Sequence, residues 1–395
     1  MIRKNMITLL SAAVLSIALT GCQGFTDMGI SGMYVDFQTG AVEMERGDTE
    51  LSDTEDDQDF FEDWTADSKA AASIREYVER VTDPDSEDFI PESDRIAVFD
   101  MDGTLIGETY PAYFEYMMFI HRALYDESYD APEDMKEFAR ALEEGVYSGN
   151  EGAMYFATLP KGNERLHAEY AGKAYAGMTP SEIMEYAEHF MESEAEGFTD
   201  LTKGGAIYKP MADMLSYLQE NDFQCYIVSG SDRNICRAFA KDVFGIPENR
   251  VIGMSYKMVA TGQGDTDGLD YLYTEDDEVV SSGELLIKTI KMNKVSVIAE
   301  EIGKVPVLAF GNSSGDLSMA QYVKNNKQYE GRAYMVLCDD LEREYGSMEK
   351  ADSLREFCEE HGFETISMRD DFATIYDNGS GAAVEKDVEE LAAAS

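Results

Sequence analysis

Residues 96–104 read Ile-Ala-Val-Phe-Asp-Met-Asp-Gly-Thr, an apolar run followed at once by two carboxylates. The run does not alternate with polar residues, which is typical of a strand buried on both faces of a parallel sheet. Ligands of open α/β sheets bind beyond the carboxyl ends of the strands, so Asp100 and Asp102 are expected to lie in a substrate crevice. One acid could attack as a nucleophile while the other exchanges protons. A strand that simply ends in a turn would also use Asp and Gly, so that interpretation stays open on this stretch alone.

Outward from this stretch, predicted strands and helices alternate along the chain. Further strands are predicted at 224–229, 251–256, 305–310 and 333–338, and helices at 211–221, 232–244, 295–302 and from 316 onward. This alternation predicts a Rossmann-like α/β fold, a parallel sheet with helices on both faces. The Gly- and Asp-rich residues 261–282 are predicted to be irregular.

A helical segment interrupts the alternation after the first strand. Residues 111–198 are helical in pattern almost throughout, with breaks at 131–132, 149–152, 160–162 and 179–180. They are predicted to form a helical cap domain, inserted into a core domain made of residues 64–110 and 199–395. Residues 22–63 are Gly-rich and then strongly acidic, and they are predicted to form a flexible tether because a run of like charges repels itself.

Two other predicted strands also end in polar residues. Ser229 and Gly230 close the second strand, just before a helix whose free N–H groups suit an anion. Asn312 and Asp316 follow the fourth strand and offer two oxygen ligands, which suits a hard cation such as Mg²⁺. Lys294 precedes that strand and is a candidate to neutralise a phosphate oxygen, although a lysine at a helix start is more often solvated surface.

Together, the stretches 100–104 and 311–316 with Ser229 and Lys294 resemble the motifs of the haloacid dehalogenase superfamily of aspartate-nucleophile phosphatases. The resemblance covers about residues 92–340. A helical insert directly after the first motif is similar to the cap of the phosphoserine-phosphatase-like branch, which also includes exported phosphorylcholine phosphatases. The resemblance implies a Mg²⁺-dependent phosphomonoesterase that acts on a small phosphorylated metabolite through an aspartyl-phosphate intermediate.

The resemblance also implies a role for each motif residue. Asp100 would attack phosphorus, and Asp102 would protonate the leaving alcohol and then activate water. Lys294 would neutralise charge on Asp100 and on the transferring group. The implied substrate-binding residues of the motifs are Thr104, Ser229 and Gly230.

The same resemblance implies a metal site with one departure from the family pattern. Mg²⁺ would be held by the side chains of Asp100, Asn312 and Asp316 and by the backbone carbonyl of Asp102. The commonest family residue at position 312 is Asp, so Asn312 removes one negative charge, and we expect weaker Mg²⁺ binding than in an Asn312→Asp variant. An alternative therefore remains, a non-catalytic surface lipoprotein that binds a phosphorylated metabolite.

The start of the predicted cap bears on the substrate. Glu108 is followed closely by four aromatic residues, Tyr110, Tyr113, Phe114 and Tyr116. A carboxylate amid aromatic faces suits a cationic head group, so phosphocholine, phosphoethanolamine or phosphoserine would fit, with Glu108 binding the substrate. Helical spacing gives these aromatics an equally good explanation as the core of the cap.

The N-terminal sequence indicates where the protein is located. The net charge of the chain indicates which class of partner it does not bind. Arg3 and Lys4 precede an apolar run at 6–20 that is too short to span a bilayer, and Leu-Thr-Gly-Cys at 19–22 matches a bacterial lipobox. By that resemblance residues 1–21 are a signal peptide, and Cys22 carries the lipid that anchors an exported protein to the cell membrane. With 32 basic and 79 acidic residues and a net charge of -47, the chain is not expected to bind nucleic acid.

Overall fold

The structure is a computed structural model that describes residues 33–35, 42–44, 61–108, 112–148 and 163–377. The chain divides into two compact units, Met1–Gln58 and Asp59–Ser395. In the first unit, β1 (Met33–Val35) and β2 (Val42–Met44) pair antiparallel. The predicted signal peptide, Cys22 and most of the predicted tether lie outside the described residues. Among the residues that are described, no helix has the length and apolar character needed to cross a membrane.

The second unit is built on a seven-stranded sheet with the order β6-β5-β4-β3-β7-β8-β9. Its strands are β3 (Ile96–Phe99), β4 (Gln224–Asp232), β5 (Val251–Ala260), β6 (Val279–Ile287), β7 (Leu308–Gly311), β8 (Arg332–Leu337) and β9 (Glu364–Ser367). All neighbouring pairs are parallel except β5 with β6. The predicted α/β fold with a mostly parallel sheet is therefore confirmed.

Helices cover both faces of this sheet. They are α1 (Lys69–Thr82), α6 (Lys209–Glu220), α7 (Arg233–Phe244), α8 (Met292–Val297), α9 (Leu317–Lys324), α10 (Met348–His361) and α11 (Met368–Asp371). Alternation along β3 sends Ala97 and Phe99 into one apolar cluster, which includes side chains of α1, α6 and α7. It sends Val98 into another, which includes side chains of α9 and α10. The apolar run therefore reads as continuous because both of its faces are buried.

The helical insertion between β3 and β4 consists of α2 (Phe114–Leu124), α3 (Glu133–Ser148), α4 (Asn163–Ala174) and α5 (Pro180–Met191). Thr179 caps α5 by accepting a hydrogen bond from Glu182 N, and the Glu182 side chain accepts from Thr179 N in return. The predicted breaks before α3 and α5 are confirmed, and those at 149–152 and 160–162 lie outside the described residues. The domain boundaries predicted within this unit stay predictions.

One strand was missed. Residues 261–282 were expected to be irregular, but β6 begins at Val279 and pairs with β5 as an edge hairpin. The connecting loop closes around the Asp277 carboxylate, which accepts hydrogen bonds from Gly262 N, Thr274 N and Tyr271 Oη. Long-range pairing with β5 thus overrides the turn-forming composition of the segment.

Candidate active site

The carboxyl ends of three adjacent strands bring the predicted site residues together. Strand β3 lies between β4 and β7, and Asp100 N donates to Phe310 O at 2.9 Å, which extends the pairing with β7 by one residue. A cleft of about 780 Å³ opens at this edge of the sheet and is lined by Asp100, Asp102, Lys294, Asn312 and Asp316, among others. The sheet order therefore gathers side chains that are more than 200 residues apart in sequence.

Lys294 is the centre of this arrangement and is only 1% exposed. Its Nζ donates to Asp100 Oδ1 at 2.5 Å, to Asp316 Oδ1 at 2.6 Å and to Val228 O at 2.6 Å. Although burial favours the neutral amine, the charges of Asp100 and Asp316 raise the pKa of Lys294. The lysine is thus a buried ammonium ion with all three N–H groups used, and the surface position considered from the sequence does not apply.

The loop after β7 holds the second carboxylate in place. Asp316 Oδ2 accepts hydrogen bonds from Asn312 N at 3.1 Å, Ser313 N at 3.0 Å and Ser313 Oγ at 3.1 Å. A Cβ on Gly311 would lie 2.5 Å from the Asp316 Cβ, so this tight wrap requires glycine. The loop is also tied to the start of α8, because Lys291 N donates to Gly315 O at 2.7 Å.

Asp102 is held by Ser231, a serine to which the sequence analysis gave no role. Its Oδ2 accepts a hydrogen bond from Ser231 Oγ at 2.8 Å, and its Oδ1 is buried without a partner among the described residues. Burial raises the pKa of Asp102, and the hydrogen bond from Ser231 works in the opposite direction. A carboxyl group with a raised pKa beside a cleft is suited to donate a proton.

The predicted Ser229 lies behind this serine. It is fully buried, and its Oγ accepts a hydrogen bond from Ser231 N at 3.1 Å. Gly230 and Ser231 line the cleft, whereas Ser229 is not part of its wall. The pairing register of β4 shifts between Val228 and Asp232, and this irregularity decides which hydroxyl reaches the cleft. The sequence contains no signal that would reveal it.

In the turn after Asp102, Gly103 lies against the loop that follows β7, whereas Thr104 is buried away from the cleft. Gly103 has φ +80, and a Cβ there would lie 2.0 Å from Asn312 Nδ2, so glycine allows the β7 loop to approach. Thr104 is fully buried, and its Oγ1 has no hydrogen-bond partner in the described part of the chain. Thr104 is absent from the lining of the cleft, so its predicted contact with substrate stays a prediction.

Glu108 is already engaged by the protein. Its carboxylate accepts hydrogen bonds from Lys350 Nζ at 2.7 and 3.0 Å and from Asn312 Nδ2 at 2.8 Å. A cationic head group would have to displace Lys350, a residue of α10 that no sequence pattern indicated. Tyr113 and Tyr116 do line the cleft, whereas Phe114 is buried in the core and Tyr110 lies outside the described residues.

Comparison with known proteins places the chain in a family. A family model described as haloacid dehalogenase-like hydrolase matches residues 97–321, more than half of the chain. The chain belongs to this family. The family model therefore confirms the predicted superfamily. A search of curated proteins found no match to this haloacid dehalogenase-like hydrolase.

Several solved structures resemble this hydrolase in fold. A conserved protein of unknown function from Anaerococcus prevotii has 17% identity and a TM-score of 0.44, with 78% of this chain and 97% of that chain covered. Cytosolic 5'-nucleotidase IIIB bound to cytidine has 13% identity and a TM-score of 0.43, with 76% and 85% covered. A phosphoserine phosphohydrolase-like protein from Francisella tularensis has 15% identity and a TM-score of 0.34, with 66% and 92% covered. Similarity this low carries no functional information.

The charges of the site of this hydrolase suit a divalent cation, as is typical of its family. Three buried carboxylates, Asp100, Asp102 and Asp316, line the cleft together with one buried ammonium group, Lys294. Burial raises the pKa of Asp100, and the charge of Asp316 raises it further against the opposing effect of Lys294. Among the described residues no cluster of three His, Cys, Asp or Glu side chains is ready to bind a metal. Asn312 lines the same cleft, and its amide oxygen is a donor of the hard type that Mg²⁺ prefers.

Proposed function

We propose that this hydrolase is a Mg²⁺-dependent phosphomonoesterase of the phosphoserine-phosphatase-like branch. The observation that supports it most is the Lys294 ammonium group, which holds Asp100 and Asp316 together at the carboxyl ends of adjacent strands. The helical insertion directly after the first motif supports the branch.

The side chains of the cleft can perform the two half-reactions. Asp100 Oδ1 is held by Lys294, and its Oδ2 has no hydrogen bond among the described residues, so Oδ2 is the oxygen that attacks phosphorus. As the new O–P bond forms, the bond from phosphorus to the leaving alcohol breaks, and Asp102 gives that oxygen its proton. Asp102 then takes a proton from water, the water oxygen attacks phosphorus, and the bond to Asp100 breaks to release phosphate.

Positive charge at this site is needed because the substrate is an anion and the chain carries a net charge of -47. Mg²⁺ would be held by the side chains of Asp100, Asn312 and Asp316 and the backbone carbonyl of Asp102, and it would stabilise negative charge on the phosphoryl oxygens. Lys294 contributes a fixed charge beside the nucleophile. Ser231 orients Asp102, and the backbone around Gly230 lines the cleft where phosphoryl oxygens would lie.

The proposed substrate is a small phosphorylated metabolite. A cleft of about 780 Å³ has room for one. The cationic head group predicted from Glu108 stays a prediction, and its main support is now the pair of tyrosines, Tyr113 and Tyr116, that line the cleft. The carboxylate contributes less than expected because Lys350 already neutralises it.

The proposal is tested by phosphate release from the full chain, purified in detergent, with a panel of phosphomonoesters and with Mg²⁺ or EDTA. We expect Mg²⁺-dependent release that an Asp100→Asn variant loses and that a Lys241→Gln variant, altered at an exposed position on α7, retains. No release above the Asp100→Asn level with any ester would reject the enzyme. Tight binding of an ester without turnover would then support the alternative of a binding lipoprotein.

We also propose that the chain is exported and anchored through a lipid on Cys22, on the evidence of the sequence at 1–22 alone. Mass spectrometry of the N-terminal peptide after expression in a bacterium tests this. We expect a mass that begins at Cys22 and includes acyl chains, and a Cys22→Ser variant that lacks them. An unmodified N-terminus in the native chain would reject the anchor.

A further inference from the structure

Glu115, which the sequence analysis passed over, is a buried carboxyl group in the wall of the cleft. It lies in the first turn of α2, is 2% exposed and lines the cleft together with Asp100 and Asp102. Its Oε1 is buried without a hydrogen-bond partner among the described residues. Burial raises the pKa of Glu115, and the nearby backbone N–H of Asp232, at the end of β4, opposes this effect. Glu115 thus reaches from the helical insertion to the sheet.

Lys288 faces this carboxyl group from the segment that follows β6. Its Nζ lies 3.6 Å from Glu115 Oε2, beyond hydrogen-bonding distance, and it makes no other polar contact in the part of the chain that is described. The second charged pair near the cleft differs, because Lys350 contacts both oxygens of Glu108 at 2.7 and 3.0 Å. We call the Glu115–Lys288 pair open because its two groups do not hydrogen-bond to each other. Glu115 Oε1 can therefore accept a hydrogen bond from a ligand, and Lys288 Nζ can donate one.

The unpartnered oxygen of Glu115 can bind a ligand group. A buried polar atom without a hydrogen-bond partner is unfavourable, and a ligand or water that donates to Glu115 Oε1 would remove that penalty. Both members of the pair also lie within electrostatic reach of Asp102. Lys288 acts electrostatically on Asp102, and Asp102 is the acid that faces the leaving oxygen in the proposed function.

We propose that Glu115 and Lys288 form a leaving-group subsite that selects a neutral polyol, with one hydroxyl donating to Glu115 Oε1 and a neighbouring hydroxyl accepting from Lys288 Nζ. This assignment rests on the proposed phosphomonoesterase function. The pair already balances its own charge, so hydroxyls complete it without adding charge to a buried site. A quaternary ammonium group has no N–H to donate to Glu115, and Lys288 repels it. An amino acid would bring two more charges that must be desolvated.

The test compares two phosphate esters with the same carbon skeleton, glycerol phosphate and n-propyl phosphate, which lacks the hydroxyls. We measure kcat/KM for both with the native full chain and with Glu115→Gln, Lys288→Met and Glu188→Gln, the last an exposed carboxylate of α5 that serves as control. Two hydrogen bonds of ordinary net strength predict a preference for glycerol phosphate of about tenfold to a hundredfold. The preference should fall towards one in the first two variants and stay unchanged in the control.

Calorimetric titration of the same esters into an Asp100→Asn chain separates this inference from the proposed function. If the native chain shows no turnover, but the Asp100→Asn chain binds glycerol phosphate more tightly than propyl phosphate and adding Glu115→Gln to it removes the difference, the subsite stands and the phosphatase proposal fails. A native preference that both variants keep, or a higher kcat/KM for phosphocholine or phosphoserine than for glycerol phosphate, would overturn the subsite. Thermal unfolding of each variant shows that it is folded when measured.

Discussion

The contact between Asn312 and Glu108 gives a physical reason for the residue that departs from the family pattern. Asn312 Nδ2 donates to Glu108 Oε1 at 2.8 Å. An Asn312→Asp change would replace this donor with a carboxylate oxygen that faces another carboxylate. We therefore expect the variant, which should bind Mg²⁺ more tightly, to be less stable than the native chain when no metal is present.

The magnitude follows from the distance. Two unit charges 2.8 Å apart repel by about 6 kcal/mol at an effective dielectric constant of about 20. Protonation of one carboxyl limits the cost, because moving a pKa from about 3.9 to about 7 takes about 4 kcal/mol. The lost hydrogen bond to a charged acceptor sets a lower bound of about 1.5 kcal/mol. Lys350 shields part of the repulsion, so we expect the free energy of unfolding to fall by about 2–4 kcal/mol.

The assay is urea unfolding in EDTA at neutral pH, followed by fluorescence of the single tryptophan. Trp64 is a good probe because it is buried and packs edge-on against Phe372. A Glu108→Gln, Asn312→Asp double variant should recover most of the loss, since the glutamine amide can donate to the new carboxylate. The control is Asn325→Asp, the same change at an exposed position, which should shift stability by less than about 0.5 kcal/mol.

Two results would refute this reasoning. One is an Asn312→Asp chain as stable as the native chain in EDTA, which would mean that the amide does not hold Glu108. The other is a double variant no more stable than the single one, which would place the cost elsewhere in the loop. Saturating Mg²⁺ should raise the unfolding midpoint of Asn312→Asp more than that of the native chain, and an equal rise would argue against Asn312 as a ligand.

Three further predictions concern the site and its support. Ser231→Ala should lower kcat about tenfold by removing the hydrogen bond to Asp102, and more than Ser229→Ala does; equal steady-state effects would argue against the observed geometry. Gly103→Ala should lower the free energy of unfolding, measured in urea, by more than about 2 kcal/mol. Gly103 has φ +80, and a Cβ there would lie 2.0 Å from the Asn312 side chain. A smaller loss would show that the loop after β7 moves to make room. Burial raises the pKa of Glu344 to about 7, so its proton stabilises the fold below the unfolded pKa of about 4.5, and this contribution is lost as the pH rises through about 7. Between about pH 5 and about pH 8, the native chain should therefore lose on the order of 2 kcal/mol more than Glu344→Gln, and parallel pH profiles would contradict the shift.

The strands and their chemistry could be predicted because the signals are local. Residues 96–99 are uniformly apolar since β3 is covered on both faces, and the polar residues that follow must emerge at the edge of a parallel sheet. The same logic applied to the segment after β7, where Asn312 and Asp316 lie. No local pattern predicts β6, because a strand in a Gly- and Asp-rich segment at the edge of the sheet forms only through its pairing with β5.

Several residues of the site escaped the sequence analysis for identifiable reasons. Glu115 carried a signal in the sequence, because it is the single acid among the apolar and aromatic residues 114–120, and that signal could have been used. Ser231 did not, because the irregular pairing of β4 decides which serine faces the cleft. Lys288 and Lys350 did not either, since each meets its carboxylate only after distant segments have folded together.

The sequence alone determined the α/β class, the helical insertion and the family, because apolar periodicity and strand-end motifs depend on near neighbours in the chain. Tertiary structure alone decided which charges meet. It placed Lys294 between Asp100 and Asp316 and left the Glu115–Lys288 pair open while closing the pair of Glu108 with Lys350. Electrostatic interactions depend on distances and burial that span the whole chain, and no local pattern encodes them.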